Sequence, residues 1–341
     1  MAQRIWSETV PLATLGSPAV LDLVAGYDLD LLAAVRPWEL DHVPALLGSA
    51  ARSGVRLSLW PMLDDDAGRW LSVVNLDPFG RFVHALLDRV EGCPDLARAG
   101  LVELAFDLEP PFGLVAAATG ASTRPGGWRT LFAEPPRTDG GPTAWPWTPP
   151  WEDARQQLGA LVEAVRGRGV AVSAAVVPMV LLDPPDRAGA WQRIMGTPVD
   201  GIPFDRVSVM LYTSLFEGWS RGTLRRPDAL GLLAEGCRLA RSRYGARASV
   251  SLGAVGPGAL GNEPVYRGPH ELAEEVALLH ALGLDDLVLF DLGGVLDRGD
   301  PNAWLDAFIQ KSPATDCPPN ARVRLVRSLG RAAGRAWQSH L

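Results

Sequence analysis

Two kinds of stretch take turns along the chain. Short apolar runs alternate with longer segments in which apolar positions recur at helical spacing. The first kind predicts buried strands and the second predicts amphipathic helices. The strand candidates are "RIWSETVPL", "LDLLAAVRP", "VRLSLWPML", "GLVELAFDLEPP", "VAVSAAVVPM", "DRVSVMLYTS", "ASVSLGAVG" and "DDLVLFDLG". The helix candidates that follow them include "SPAVLDLVAGY", "LDHVPALLGSAARSG", "LDPFGRFVHALLDRVEG", "WEDARQQLGALVEAVRGRG", "AGAWQRIMG", "PDALGLLAEGCRLARSRYG", "PHELAEEVALLHALG" and "PNAWLDAFIQ".

Eight strand–helix units in succession predict a parallel sheet covered by helices. Closing eight such units gives a (β/α)8 TIM barrel, about 250 residues before insertions. A doubly wound open sheet is the rival. The even count and the lack of an early GxGxxG turn favour the barrel. The expected plan is one barrel domain over 1–312, with 112–150 as an insertion after strand four. That insertion is rich in Gly, Pro, Thr and Trp and too long for an ordinary βα connection, so it is expected as a lid or cleft wall. The tail, 313–341, holds the basic stretch "ARVRLVRSLGRAAGRAWQSHL", expected as a solvated amphipathic helix.

Composition narrows the function. The chain has 341 residues and a net charge of −7, which argues against nucleic acid as a partner. Lys311 is the only lysine, so a Schiff-base mechanism has almost no candidate. Cys93, Cys237 and Cys317 are scattered and suggest no disulfide framework. No signal-peptide pattern and no membrane-length apolar run stand out, so the expectation is a soluble, cytoplasmic protein without integral membrane contact. The oligomeric state is not legible. All five histidines fall in helical or terminal segments, so neither a zinc site nor any other metal or cofactor is expected. The acidic run Asp64 to Asp66 reads as a solvated loop.

Candidate chemistry sits at the end of strand four. Side chains alternate faces along a strand. Val102, Leu104, Phe106 and Leu108 share one face, and Glu103, Ala105, Asp107 and Glu109 share the other. In a barrel the apolar face meets the helices, so the acids point inward. Asp107 and Glu109 then lie at the C-terminal mouth, where barrel enzymes build their sites. Two inward carboxyls so close raise one another's pKa, and a carboxyl protonated near neutrality is a general acid. Deeper in the barrel the same alternation turns Arg56 and Glu103 inward as a structural pair. Trp60, Met210, Tyr212, Trp219, Arg36 and Asp291 complete the expected mouth as substrate-contacting groups, with aromatic faces suited to stacking on a sugar.

These residues resemble the chitinase-type glycoside hydrolases of family 18. The strand-four DxxDxDxE pattern of that family aligns with "VELAFDLE", matching Asp107 and Glu109 and departing at Val102 and Ala105. The strand-six Met-x-Tyr-Asp pattern aligns with "MLYT", matching Met210 and Tyr212, with Thr213 in place of the Asp. The resemblance implies a carbohydrate substrate carrying N-acetylhexosamine, Glu109 as acid and then base, Asp107 orienting the acetamido group that acts as nucleophile, and Tyr212 steadying the intermediate.

Rivals stay open. Two-glutamate glycosidases need a second acid near strand seven, where only Glu263 in "GNEP" occurs, several residues on. The glycines of "GAVGPGALG" and "LGGVLDRG" sit where other barrels hold phosphate. A barrel that binds a glycan or a protein without catalysis would keep the aromatics and not need Glu109.

Overall fold

The computed structural model describes residues 3–119, 151–184, 189–220, 222–310 and 320–338. Its strands are β1 (Arg4–Ser7), β2 (Asp30–Val35), β3 (Leu57–Pro61), β4 (Leu101–Leu108), β5 (Ala171–Val176), β6 (Arg206–Met210), β7 (Ala248–Leu252) and β8 (Leu287–Leu289). Each pairs in parallel with its sequence neighbours, and β1 pairs with β8, so the sheet closes into a barrel. Every expected strand is present, though shorter than its apolar run. The reason is that barrel hydrogen bonding ends where the chain turns out to the mouth, while the apolar character continues into the loops.

The alternation expected for β4 is observed. Leu104 and Phe106 are fully buried against the helices, and Phe106 meets Phe79 of the Leu76–Glu91 helix edge to face at 5.3 Å. Burying an aromatic pair of this kind contributes about 0.5–1.5 kcal/mol beyond area alone. Glu103 and Asp107, on the other face, are closed to solvent inside the barrel.

The barrel floor corrects one expectation. Glu103 does not pair with Arg56. It accepts from Arg4 Nη1 at 3.0 Å, from Arg206 Nη1 at 2.6 Å and from Ser173 Oγ at 3.0 Å. Asp286 closes the ring, 2.6 Å from Arg4 and 2.7 Å from Arg206. Arg56 precedes β3 and is half exposed at the rim, where it pairs with Asp30 at 2.6 Å. Alternation fixes the face of a residue within a strand. Arg56 lies just outside one.

Of the expected insertion, residues 112–119 form the Phe112–Thr119 helix, and 120–150 lie outside the described residues, as do Lys311 and Cys317. The tail helix Ala321–Gln338 is present but not simply solvated. It lies on the barrel's outer layer: Val323 is buried, Gly330 O accepts from Trp191 Nε1 at 3.1 Å, and Arg327 pairs with Glu235. Leu325 and Leu329 on its other side are exposed. Among the described residues no helix is long and apolar enough to cross a membrane.

Candidate functional site

A cleft of about 300 Å³ opens at the C-terminal mouth of the barrel. Its walls are largely aromatic and aliphatic, and four carboxyl groups project into it: Glu8, Asp107, Glu109 and Glu263. Trp60, Met210, Tyr212 and Trp219, all expected here, line it too.

Strand ends position these groups. Asp107 is the last inward residue of β4, and Glu109 follows where the chain leaves the barrel. Asp107 is 4% exposed, and its Oδ1 has no hydrogen-bond partner among the described residues. Glu109 is only partly exposed and lines the cleft. Burial, then the charges of Glu263 and Glu8, push the Glu109 carboxyl up to about 8, against the opposing pull of Arg69. Burial also pushes Asp107 well above the usual carboxylate range, helped by Glu109 and Glu8. Glu263 rises to about 7 for the same first reason. Glu109 is therefore largely protonated at neutral pH and Glu263 partly so, while Asp107 is pushed toward its neutral form, because little in the mouth solvates their charges.

Tyr212 lies just past β6 as the residue preceding the Thr213–Trp219 helix. Its ring stacks on Phe290 at 5.5 Å. Burial and the neighbouring carboxylates, Asp107 first, raise its pKa well above normal, so its hydroxyl stays a proton donor. Gly253, at the end of β7, makes room for this stack. A Cβ there would lie 2.9 Å from Phe290 O and 3.3 Å from Tyr212 Cδ1. Behind Tyr212, Thr213 Oγ1 bonds the fully buried Glu275, which also accepts from Arg226 Nη1 and Tyr266 Oη, each at 2.6 Å. This network anchors the turn that presents Tyr212.

Trp60 meets Trp6 edge to face at 4.7 Å, and its Nε1, buried, has no partner among the described residues. Trp6, Glu8 and Arg69 were not singled out from the sequence. For the first two the signal was available: in "RIWSE" the rule used for β4 turns Arg4, Trp6 and Glu8 to one face. Arg69 was not legible. It reaches the mouth from the turn after β3, in a left-handed conformation with φ 57°. Asp64 and Asp65 shape that turn, Asp64 by accepting from Ala67 N and Asp65 by pairing with Arg69 at 2.7 Å. Arg69 in turn pairs with Glu8 at 3.0 Å.

Two expected residues do other work. Asp291 is the N-cap of the Leu292–Asp297 helix, accepting from Gly294 N at 3.0 Å, and it does not line the cleft. Arg36 donates to Leu63 O at 2.5 Å, outside the cleft lining. Both follow a strand end, but a short helix begins at each and draws the side chain away. The glycine loops after β7 and β8 pack backbone on backbone: a Cβ on Gly294 would fall 2.1 Å from Gly256 N. That close approach explains Gly256 and Gly294 without an anion. Among the described residues no group of three or more His, Cys, Asp or Glu is placed to hold a metal ion.

No protein-family model matches the chain, and no curated protein matches it. Among solved structures it is similar to a chitinase from Rhizomucor miehei, with TM-score 0.50 and 13% identity over 90% of this chain and 99% of that one. It also matches a class V chitinase from Nicotiana tobaccum (TM-score 0.46, 10% identity, 91% and 99% covered). A third match is D-psicose 3-epimerase from Clostridium cellulolyticum H10 (TM-score 0.42, 12% identity, 90% and 96% covered). At this identity the likeness is one of fold. The resemblance to chitinase-type barrels, first met in two short motifs, extends to the whole barrel as architecture.

Proposed function

We propose that the protein is a glycoside hydrolase whose general acid and base is Glu109. The observation that carries the reading is a carboxyl at the barrel mouth whose pKa is pushed up to about 8, lining an aromatic-walled cleft. Such a group is protonated at neutral pH and donates to the glycosidic oxygen as the C–O bond breaks. It then takes a proton from the water that attacks the anomeric carbon. Aromatic side chains such as Trp60 and Trp6 line the cleft against which a pyranose would pack.

Two sources of the nucleophile are compatible with this acid. In the first, suggested by the chitinase-type motif, the acetamido oxygen of an N-acetylhexosamine attacks the anomeric carbon, and Asp107 and Tyr212 hold that group. The second is favoured by one observation: Glu263, remote in sequence, lines the same cleft as Glu109. It would make Glu263 the nucleophile of a two-carboxylate mechanism.

A panel of aryl glycosides with and without the 2-acetamido group tests both. Cleavage restricted to the N-acetylated members supports substrate assistance. Equal cleavage of both, lost in Glu263→Gln, supports the protein nucleophile. Binding of oligosaccharides with no cleavage of any member overturns the hydrolase reading in favour of a glycan-binding barrel.

A further inference from the structure

We propose that the cleft takes an ammonium-bearing ligand, and that the substrate is a glycoside containing a free amino sugar, with its ammonium held by the carboxyls that line the cleft. The sugar part of this statement rests on the function proposed above. The ammonium part stands on the cleft itself.

The ionisable groups facing the cleft are mostly acids. Carboxyls arrive from three sides of the barrel: Glu8 after β1, Asp107 and Glu109 at the end of β4, and Glu263 after β7. Among the described residues Arg69 pairs with one of them, Glu8, at 3.0 Å and is shared with Asp65 at 2.7 Å, and the other Glu8 oxygen accepts from Ala259 N at 3.1 Å. Arg36 also acts on Glu8, but its Nη1 is committed to Leu63 O. Tyr212 adds a neutral hydroxyl. Bringing four acids to a poorly hydrated cavity is costly unless a cation or protons compensate them.

Two further observations point to a ligand. Asp107, 4% exposed, keeps Oδ1 without a partner among the described residues; Trp60, 3% exposed, does the same with Nε1. Both line the cleft. An unmade hydrogen bond at a buried polar atom costs about 1–3 kcal/mol, so a ligand that supplies it gains that much. Once a bound cation favours its ionised form, Asp107 Oδ1 asks for a donor, and Trp60 Nε1 asks for an acceptor. An ammonium offers three donors and no acceptor, and a sugar hydroxyl offers an acceptor. An amino sugar carries both on one ring.

The walls agree. Trp6, Trp60, Trp70 and Tyr212 present aromatic surface around the acids. Aromatic faces attract an organic cation as well as stack on a pyranose. The carboxyls are spread around the cleft; among the described residues no three of them are placed to hold a metal ion. A neutral acetamido group would provide one N–H donor but no charge to take the place of the protons these carboxyls hold. Where the ammonium-bearing unit is itself the reacting one, it supplies no nucleophilic oxygen, so the protein carboxylate Glu263 applies.

Binding of a cation here is coupled to protons. Burial holds Glu263 and Glu109 protonated up to about 7 and about 8, and a bound ammonium favours their ionised forms. Binding therefore releases protons.

Calorimetric titration of the whole chain at pH 6.5 tests this, run in two buffers of different ionisation enthalpy. The ligands are glucosamine tetramer, N-acetylglucosamine tetramer, cellotetraose and benzyltrimethylammonium. The expected result is glucosamine tetramer binding at least tenfold tighter than either neutral tetramer, with proton release seen for the cationic ligands only. Glu8→Gln and Glu263→Gln should each erase most of that preference, read as the ratio of glucosamine-tetramer to cellotetraose affinity. Two variants guard against one that fails to fold. Equal or tighter binding of the N-acetylated tetramer, or no proton release, overturns the inference while leaving the hydrolase reading intact. Binding of benzyltrimethylammonium alone, with no sugar bound, keeps the ammonium site and overturns both the amino-sugar assignment and the function it rests on.

Discussion

Arg4 Nη1 stands 3.0 Å from Glu103 Oε1 across the barrel floor, three strands apart and both closed to solvent. With Arg206 and Asp286 they form a closed ring of alternating charge, in which each carboxylate meets two guanidinium groups. The ring ties β1, β4, β6 and the start of β8 together below the site.

Removing one member leaves a buried guanidinium partly uncompensated. Glu103→Gln is expected to lower stability by about 3–5 kcal/mol, the range for breaking a buried pair. Chemical denaturation measures it. A midpoint equal to wild type would mean that the ring contributes nothing.

Gly253 lets Tyr212 and Phe290 stack where β7 ends. Gly253→Ala places a methyl group 2.9 Å from Phe290 O, so the ring or the strand end must shift. Overpacking of this kind costs about 1–3 kcal/mol. The near-ultraviolet circular dichroism of the aromatic cluster should change with it. Unaltered stability and spectrum would show that the mouth has slack at this point.

The acids at the mouth make stability depend on pH, and the sign follows from the direction of their shifts. Glu109 is raised from its ordinary 4.5 to about 8 and Glu263 to about 7. Between about pH 4.5 and 8 the folded chain holds protons that the unfolded chain has released, so stability is lost as pH rises through that window. Each fully coupled group contributes a slope of up to about 1.4 kcal/mol per pH unit. Below the window Asp286, whose pKa the floor arginines lower, works the other way. Stability should therefore be greatest under mildly acid conditions. Urea titrations from pH 5 to pH 8 check this, and Glu109→Gln should flatten the decline. A wild type more stable at pH 8 than at pH 6 would contradict the shifts.

Much of this was legible in the chain because parallel strands announce themselves as apolar runs and alternation assigns their faces. Asp107, Glu109, Tyr212 and Trp60 were found at the mouth by that rule alone. Outside the strands the rule held for Glu109 and Tyr212 but not for Arg56 or Asp291. Arg56 left the floor for the rim, and Asp291 turned to cap a helix, because backbone direction there is set by loops. Arg69 and Glu263 reach the cleft from connections whose course depends on tertiary packing, which no local pattern reports. Glu8 obeyed the alternation rule, but its strand is four residues long and its pattern weak.

The central claim is that Glu109 delivers a proton to the leaving oxygen. The most direct measurement compares wild type and Glu109→Gln on two aryl glycosides of one sugar, one with a poor leaving group and one with a dinitrophenolate that departs without protonation. The account predicts a loss of about 10²–10⁴-fold in turnover on the poor leaving group, the range general acid catalysis supplies, and near-wild-type rates of bond breaking on the activated one. An equal loss on both, or no loss on either, would contradict it.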